Sequence, residues 1–158
     1  MTNILRFVQV FALGTWIGSI FYFSAAVAPA AFRVLPSQDL AGLLVEFSLR
    51  RLHTLGVIEA AVFLLASVLL EISGSVPKKG LMLPRFGVAV MLVLTVISQH
   101  VVIRRMMELR REMGSVVATA QEDPRRVEFD KLHGVSVQLE GATLLIGFAS
   151  LFLMVRNS

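Results

Sequence analysis

Three histidines and two carboxylates stand where apolar residues prevail, and they are the groups with chemistry to offer. His53 and His133 each open a long apolar run, His100 sits near the end of another, and Glu59 and Glu140 interrupt two of those runs. Imidazole nitrogens and carboxylate oxygens are ligands for Zn, Cu, Fe and Mn, and helical bundles build metal sites from facing helices. The same groups relay protons within membranes. Gln99, Gln138 and Ser98 lie near them in sequence and supply neutral hydrogen-bond partners. His133 and Glu140, seven residues apart, share one helix face. His53 and Glu59, six apart, diverge by about 120° and cannot both face a bundle axis. Each carboxylate lies about 9–10 Å deeper than the histidine before it on its helix.

A carboxylate inside a membrane span costs about 2.5–3.5 kcal/mol on insertion scales, so neither glutamate is expected to face lipid. Three readings of the five residues stay open. They hold a divalent transition metal or a haem-type cofactor for transport or redox work. Or Glu59 and Glu140 serve a proton-coupled carrier. Or the polar groups only keep helices in register within a non-catalytic scaffold. Common to the first reading is that His53, His100, His133, Glu59 and Glu140 share one cavity.

The elements that must position these groups are membrane helices. The chain has 158 residues, 56% apolar and only 16% charged, with a mean hydropathy of +0.76. An ordinary soluble domain is about 45–50% apolar. Phe7–Phe32 and Phe86–Ile103 carry no charge, and Leu52–Leu70 and Leu132–Val155 are broken only by Glu59 and Glu140. A hydrocarbon core about 30 Å thick needs about 20 helical residues. Four spans therefore fit, about 7–32, 52–72, 84–103 and 132–155, in one domain over 1–158. The fold expected is an all-α, integral membrane four-helix bundle. The first run is long enough to require a tilt or a kink, with Pro29 the place for it. Ala26-Val27-Ala28 has the small residues of a signal-peptide cleavage site, but the apolar run far exceeds the usual h-region of about 7–15 residues. It also contains Gly14-x-x-x-Gly18, a spacing that lets helices pack closely or self-associate into a homo-oligomer.

Of fifteen Lys and Arg, five (Arg6, Lys78, Lys79, Arg85 and Arg156) lie on one side of these spans and the other ten on the opposite side. The excess marks the cytoplasmic side, placing both termini outside it, in a bacterial inner (plasma) membrane. It also accounts for the net charge of +4 without nucleic acid. Eight acids interspersed among the ten argue against a polybasic lipid-binding patch. The absence of cysteine excludes disulfides and thiolate chemistry. No phosphate loop or HExxH motif appears, and the balance leans away from an enzyme. Helical spacing of Met106, Leu109, Met113, Val116 and Ala120 extends the third helix beyond the bilayer, with Arg104 and Glu108 as an i,i+4 pair. Pro36-Ser37 and Asp123-Pro124 read as starts of the second and fourth helices, so helices 2, 3 and 4 project on the cytoplasmic side. Gly74, Pro77, Gly80 and Pro84 make the 2–3 connection a short irregular loop.

Val45-Glu46-Phe47, Arg51-Leu52-His53 and Glu59 recur as Val127-Glu128-Phe129, Lys131-Leu132-His133 and Glu140, an echo that a duplicated helix pair would produce. The same stretches carry a family resemblance. Phe32-Arg33-x-Leu35-Pro36, Arg51-Leu52-His53 and Phe129-x-x-Leu132-His133-Gly134-x-Ser136, in this order against the spans, resemble the transmembrane protein 205-like family of small four-span proteins. That resemblance implies a fold and no activity. More distantly, the architecture is similar to copper-resistance D-type proteins and to four-helix haem-binding protoporphyrinogen oxidases. Those usually carry a histidine early in the first span, where this chain has Gln9.

Overall fold

The computed structural model describes residues 2–74 and 78–156, without the side chains of Lys78 and Lys79. Every regular element among them is helical. Four long helices follow one another: α1 (Thr2–Val34), α2 (Gln38–Ile72), α3 (Gly80–Met113) and α4 (Pro124–Arg156). In hydrocarbon a helix satisfies its backbone N–H and C=O groups internally, which is why uncharged runs of this length take that form. Only 17–33% of their most apolar windows is buried inside the bundle. The remainder, including Phe11, Leu65, Val93 and Phe152, presents apolar side chains outward. An apolar exterior around a packed interior is the signature of a protein in a bilayer, and the chain is a multi-pass membrane protein.

The helices run up and down in sequence. α1 packs on α2, α2 on α3 and α3 on α4, while α4 closes back on α1 more sparsely. The interior is held by Trp16, Leu13, Ile20, Phe63, Val88 and Met91. Trp16 lies directly against Gly56 of α2, where any side chain would meet the indole. Gly147 of α4 does the same for Ile17, whose Cγ1 would stand 2.7 Å from an added Cβ. Gly14 and Gly18 do not play this part. An added Cβ would meet nothing within 4 Å at either, because Ala12, Leu13, Trp16 and Ile17 form the inward face of α1 and turn both glycines away. Within the chain, the expectation that these two glycines face another helix is corrected.

The ends of the helices follow local chemistry. Ser37 caps α2, its Oγ accepting from the Leu40 N–H at 3.1 Å. Asp123 precedes Pro124 and accepts from the Arg125 N–H at 2.9 Å. Pro29 lacks the N–H that would bond the Ala25 carbonyl, and a wider π-helical turn at Phe23–Val27 ends two residues before it. A second such turn, Ser98–Ile103, lies in α3. The spacing of apolar residues overextends α3, however. The helix stops at Met113, where Gly114 takes φ 73° and donates to the Arg110 carbonyl at 3.0 Å. Val116 still packs on Leu109 and Phe129, from a turn rather than a helix. At the opposite end the helix is already formed from Lys78, and Pro84 lies inside it, forfeiting only the bond its N–H would make to the Gly80 carbonyl. Of the rest of that expected loop, Gly74 stands in a turn at φ 65°, and Ser75–Pro77 lie outside the described residues.

Candidate functional site

The end of the bundle formed by the 34–38 turn and the 113–124 connection, called here the connection end, gathers most of the charge. Arg105 of α3 makes two bonds to Glu128 of α4, 2.8 and 2.9 Å long. Arg110 reaches Glu46 of α2 at 3.3 Å and lies over the Phe129 ring, 5.2 Å from its centre. Asp39, at the start of α2, accepts from the Ser115 hydroxyl at 2.5 Å and the Val116 N–H at 3.0 Å, tying the connection down. Just before α4, the carboxyl of Asp123 is held down at about 2 by the Arg125 side chain beside it. A paired guanidinium favours the charged carboxylate.

Deeper in the bundle, His53 of α2 is 1% exposed. Its Nδ1 lies 2.9 Å from Gln99 Oε1, and its Nε2 meets Glu140 Oε1. An amide oxygen only accepts, so Nδ1 carries the proton toward Gln99. One further proton then lies between Nε2 and Glu140, residing on the imidazole as an ion pair or on the carboxyl as a neutral pair. Three helices thus supply one buried, proton-bearing contact: His53 from α2, Gln99 from α3 and Glu140 from α4. Ser98 is fully buried beside Gln99, its hydroxyl without a hydrogen-bond partner.

Glu140 also borders a cavity of about 660 Å³. Phe23, Pro29 and Phe32 of α1, Glu46 and Leu49 of α2, Arg110 of α3, and His133, Val137 and Gly141 of α4 are among its lining. Pro29 and Phe32 of α1 and His133, Val137 and Gly141 of α4 are exposed, as are Gln38, Val117 and Asp130 at the connection end.

Of the five residues expected to converge, the structure brings two together. His53 and Glu140 touch, although the sequence puts the carboxylates one layer below the histidines. The reason is axial. The sequence echo matches His53 with His133, but in space His53 is level with Glu140, seven residues further on. α4 is therefore displaced by about 10 Å relative to α2. His133 shares the Glu140 face and lines the same cavity, but it stands about two turns nearer the connection end and is exposed. His100 is exposed because the inward face of its turn is taken by Ser98, Val102 and Ile103. Glu59 is half-buried and outside the contact, as its 120° divergence from His53 requires. Gln138 is exposed as well. Among the described residues no three His, Asp or Glu side chains are grouped to hold a metal ion. Nor do the residues fit a haem bound early in α1. Gln9 bonds Ser67 instead, fourteen residues, or about 21 Å, along α2 from His53.

Sequence reasoning missed Gly56, the Arg110–Glu46 pair, and a second polar group in the opposite half. There Arg85 bonds Glu71 and the Ser67 carbonyl beside Gln9. A signal existed, since Arg85 and Glu71 each fall just inside a span end, where a lone charge needs a partner.

Residues 11–115 match the family model of a domain of unknown function, DUF4149. No curated protein and no solved structure matches the chain.

Proposed function

For this chain, which belongs to the DUF4149 family, we propose the function of a proton-coupled membrane carrier working through the His53–Glu140 pair. One observation carries the reading: a buried imidazole–carboxylate contact within the spans, whose Glu140 also borders a cavity. Intramembrane ionisable groups are costly, and where they face a cavity they mark pathways for protons or solutes. With one proton between them the two groups are together neutral, whichever holds it. Gain of a second proton makes the pair positive and loss of the first makes it negative, so proton traffic changes the charge of the cavity wall. Imidazole is the side chain that ordinarily titrates near neutral pH. The ten-to-five excess of Lys and Arg supports a cytoplasmic connection end. The motif resemblance adds kinship with transmembrane protein 205-like proteins.

Infrared difference spectra of the full chain in lipid, recorded across a pH titration, test the site. A carboxyl band that titrates in the native protein and is missing in Glu140→Gln is expected. An unchanged band in the variant would assign the titration elsewhere and remove the basis for the reading. The open face carrying Gly14 and Gly18 supports a second role, self-association, since small residues left uncovered let another copy approach closely. Cross-linking in lipid should then yield a dimer that Gly18→Leu abolishes.

A further inference from the structure

The cavity has a charge preference of its own. Asp39, Glu46, Asp130 and Glu140 line it against two guanidiniums, Arg110 and Arg126. While His53 and Glu140 share their proton that pair is neutral, so with His133 neutral 2 − 3 gives a formal charge of −1, and loss of the shared proton makes it −2. Arg126 is held by Asp130 at 2.9 Å and by the Val116 carbonyl. Arg110 stands in ionic contact with Glu46 at 3.3 Å, although its buried Nε makes no hydrogen bond. Each guanidinium thus has a carboxylate opposite it, which leaves the excess charge of the wall negative. The two remaining carboxylates have no guanidinium of their own at close range. Asp39 is satisfied by the Ser115 hydroxyl and the Val116 N–H, with Arg110 Nη1 4.0 Å away. Glu140 has only the shared proton of His53. Between the charges the wall is apolar, and Phe23 and Phe32 of α1 form part of it. Aromatic faces attract cations. At about 660 Å³ the space matches a small organic molecule, for which pockets run about 300–1,000 Å³.

We infer that the cavity binds an organic cation with a bulky apolar body. The inference rests on the proton-coupled reading for its exchange step, and names the substrate class of that same site. A carboxylate in a low-dielectric wall attracts a cation strongly when ionised and not when protonated, so cation and proton compete for Glu140. The charged or titratable groups around the cavity are His53, Asp39 and Glu46 on α2, Arg110 on α3 and Arg126, Asp130, His133 and Glu140 on α4, while α1 lines it with uncharged residues. A proton gained by any group of this wall makes it less negative, so proton and cation oppose each other here. Binding weakens as pH falls.

The probe is tetraphenylphosphonium, with tetraphenylborate as its counterpart of similar shape and opposite charge. Each is titrated calorimetrically into the full chain in lipid nanodiscs, with empty nanodiscs subtracted. Saturable phosphonium binding is expected, at least about tenfold tighter at a pH of about 8 than at about 5. Glu140→Gln should lower the affinity by about tenfold or more and flatten its pH dependence. Gly141→Leu supplies a variant that tests the cavity without the proton site. Its Cβ would meet nothing within 4 Å, so the bundle should melt as the native protein does while the side chain fills the cavity and reduces binding. Borate binding as tightly as phosphonium, or phosphonium binding indifferent to both variants, overturns the assignment. Absence of phosphonium binding with the Glu140 infrared band intact overturns the substrate class and leaves the proton site standing. Binding reduced by Gly141→Leu with no titrating Glu140 band supports the cation site and removes the proton-coupled reading.

Discussion

Adding one methyl group to a glycine should have opposite consequences at two places in this bundle. At Gly56 an alanine Cβ would meet Trp16 Nε1, and would stand 2.6 Å from Cε2 and 3.0 Å from Cζ2. Carbon atoms rest at about 3.5–4.0 Å, so several ring atoms fall short by about 0.5–1 Å. An indole is rigid and Trp16 is 1% exposed, which leaves α1 and α2 to separate rather than a flexible side chain to yield. Overpacking of this kind costs about 1–3 kcal/mol. At Gly18 the same methyl would meet nothing. Each substitution also gains about 1 kcal/mol of helix propensity, and comparing Gly56→Ala with Gly18→Ala cancels that gain. The difference expected is the overpacking alone, with Gly56→Ala the less stable by about 1–3 kcal/mol. Reversible unfolding in mixed micelles can be followed through Trp16, the single tryptophan of the chain. Its emission should shift in the folded Gly56→Ala protein and not in Gly18→Ala. Equal stabilities with unchanged emission in both would refute the packing of α1 on α2 described above.

The His53–Glu140 contact should appear in a double-mutant cycle with His53→Phe and Glu140→Leu. Coupling at or above about 0.6 kcal/mol, the average for interhelical hydrogen bonds in one membrane protein, is expected, and none would refute the contact. Asp123 is lowered from 3.8 to about 2 by the Arg125 side chain and N–H. Its support for the start of α4 is thus fully present above about pH 4 and lost as pH falls through about 2. Amide exchange at Arg125–Val127 should accelerate across that window, and Asp123→Ala should show the faster rate throughout. Cysteine introduced at Met113 or Ser115 should label only from the cytoplasm and one at Ser75 only from outside. The reverse would invert the orientation inferred from the basic residues.

What the sequence determined by itself is whatever depends on one stretch of chain. Four apolar runs of span length specify four helices, because an unsatisfied backbone group in hydrocarbon is too costly to tolerate. Ser37 and Asp123 declare helix starts, and Arg104 pairs with Glu108 at 3.6 Å one turn away. Each of these follows from local bonds. Gly114 ends α3 at a point where continuing apolar spacing argued for more helix, a local rule outweighed by another. The meeting of His53 with Glu140, and not with His133 or Glu59, was decided only in the tertiary structure. Periodicity fixes the angle of a residue about its own helix axis, and that much held: Glu59 diverges from His53, and His133 shares the Glu140 face. Periodicity says nothing of how far one helix slides along another or which face it turns inward. Those are set where Trp16 seats on Gly56 and Ile17 on Gly147, contacts between residues forty and one hundred thirty positions apart. Such packing displaces α4 by about two turns against α2 and turns Gly14 and Gly18 outward.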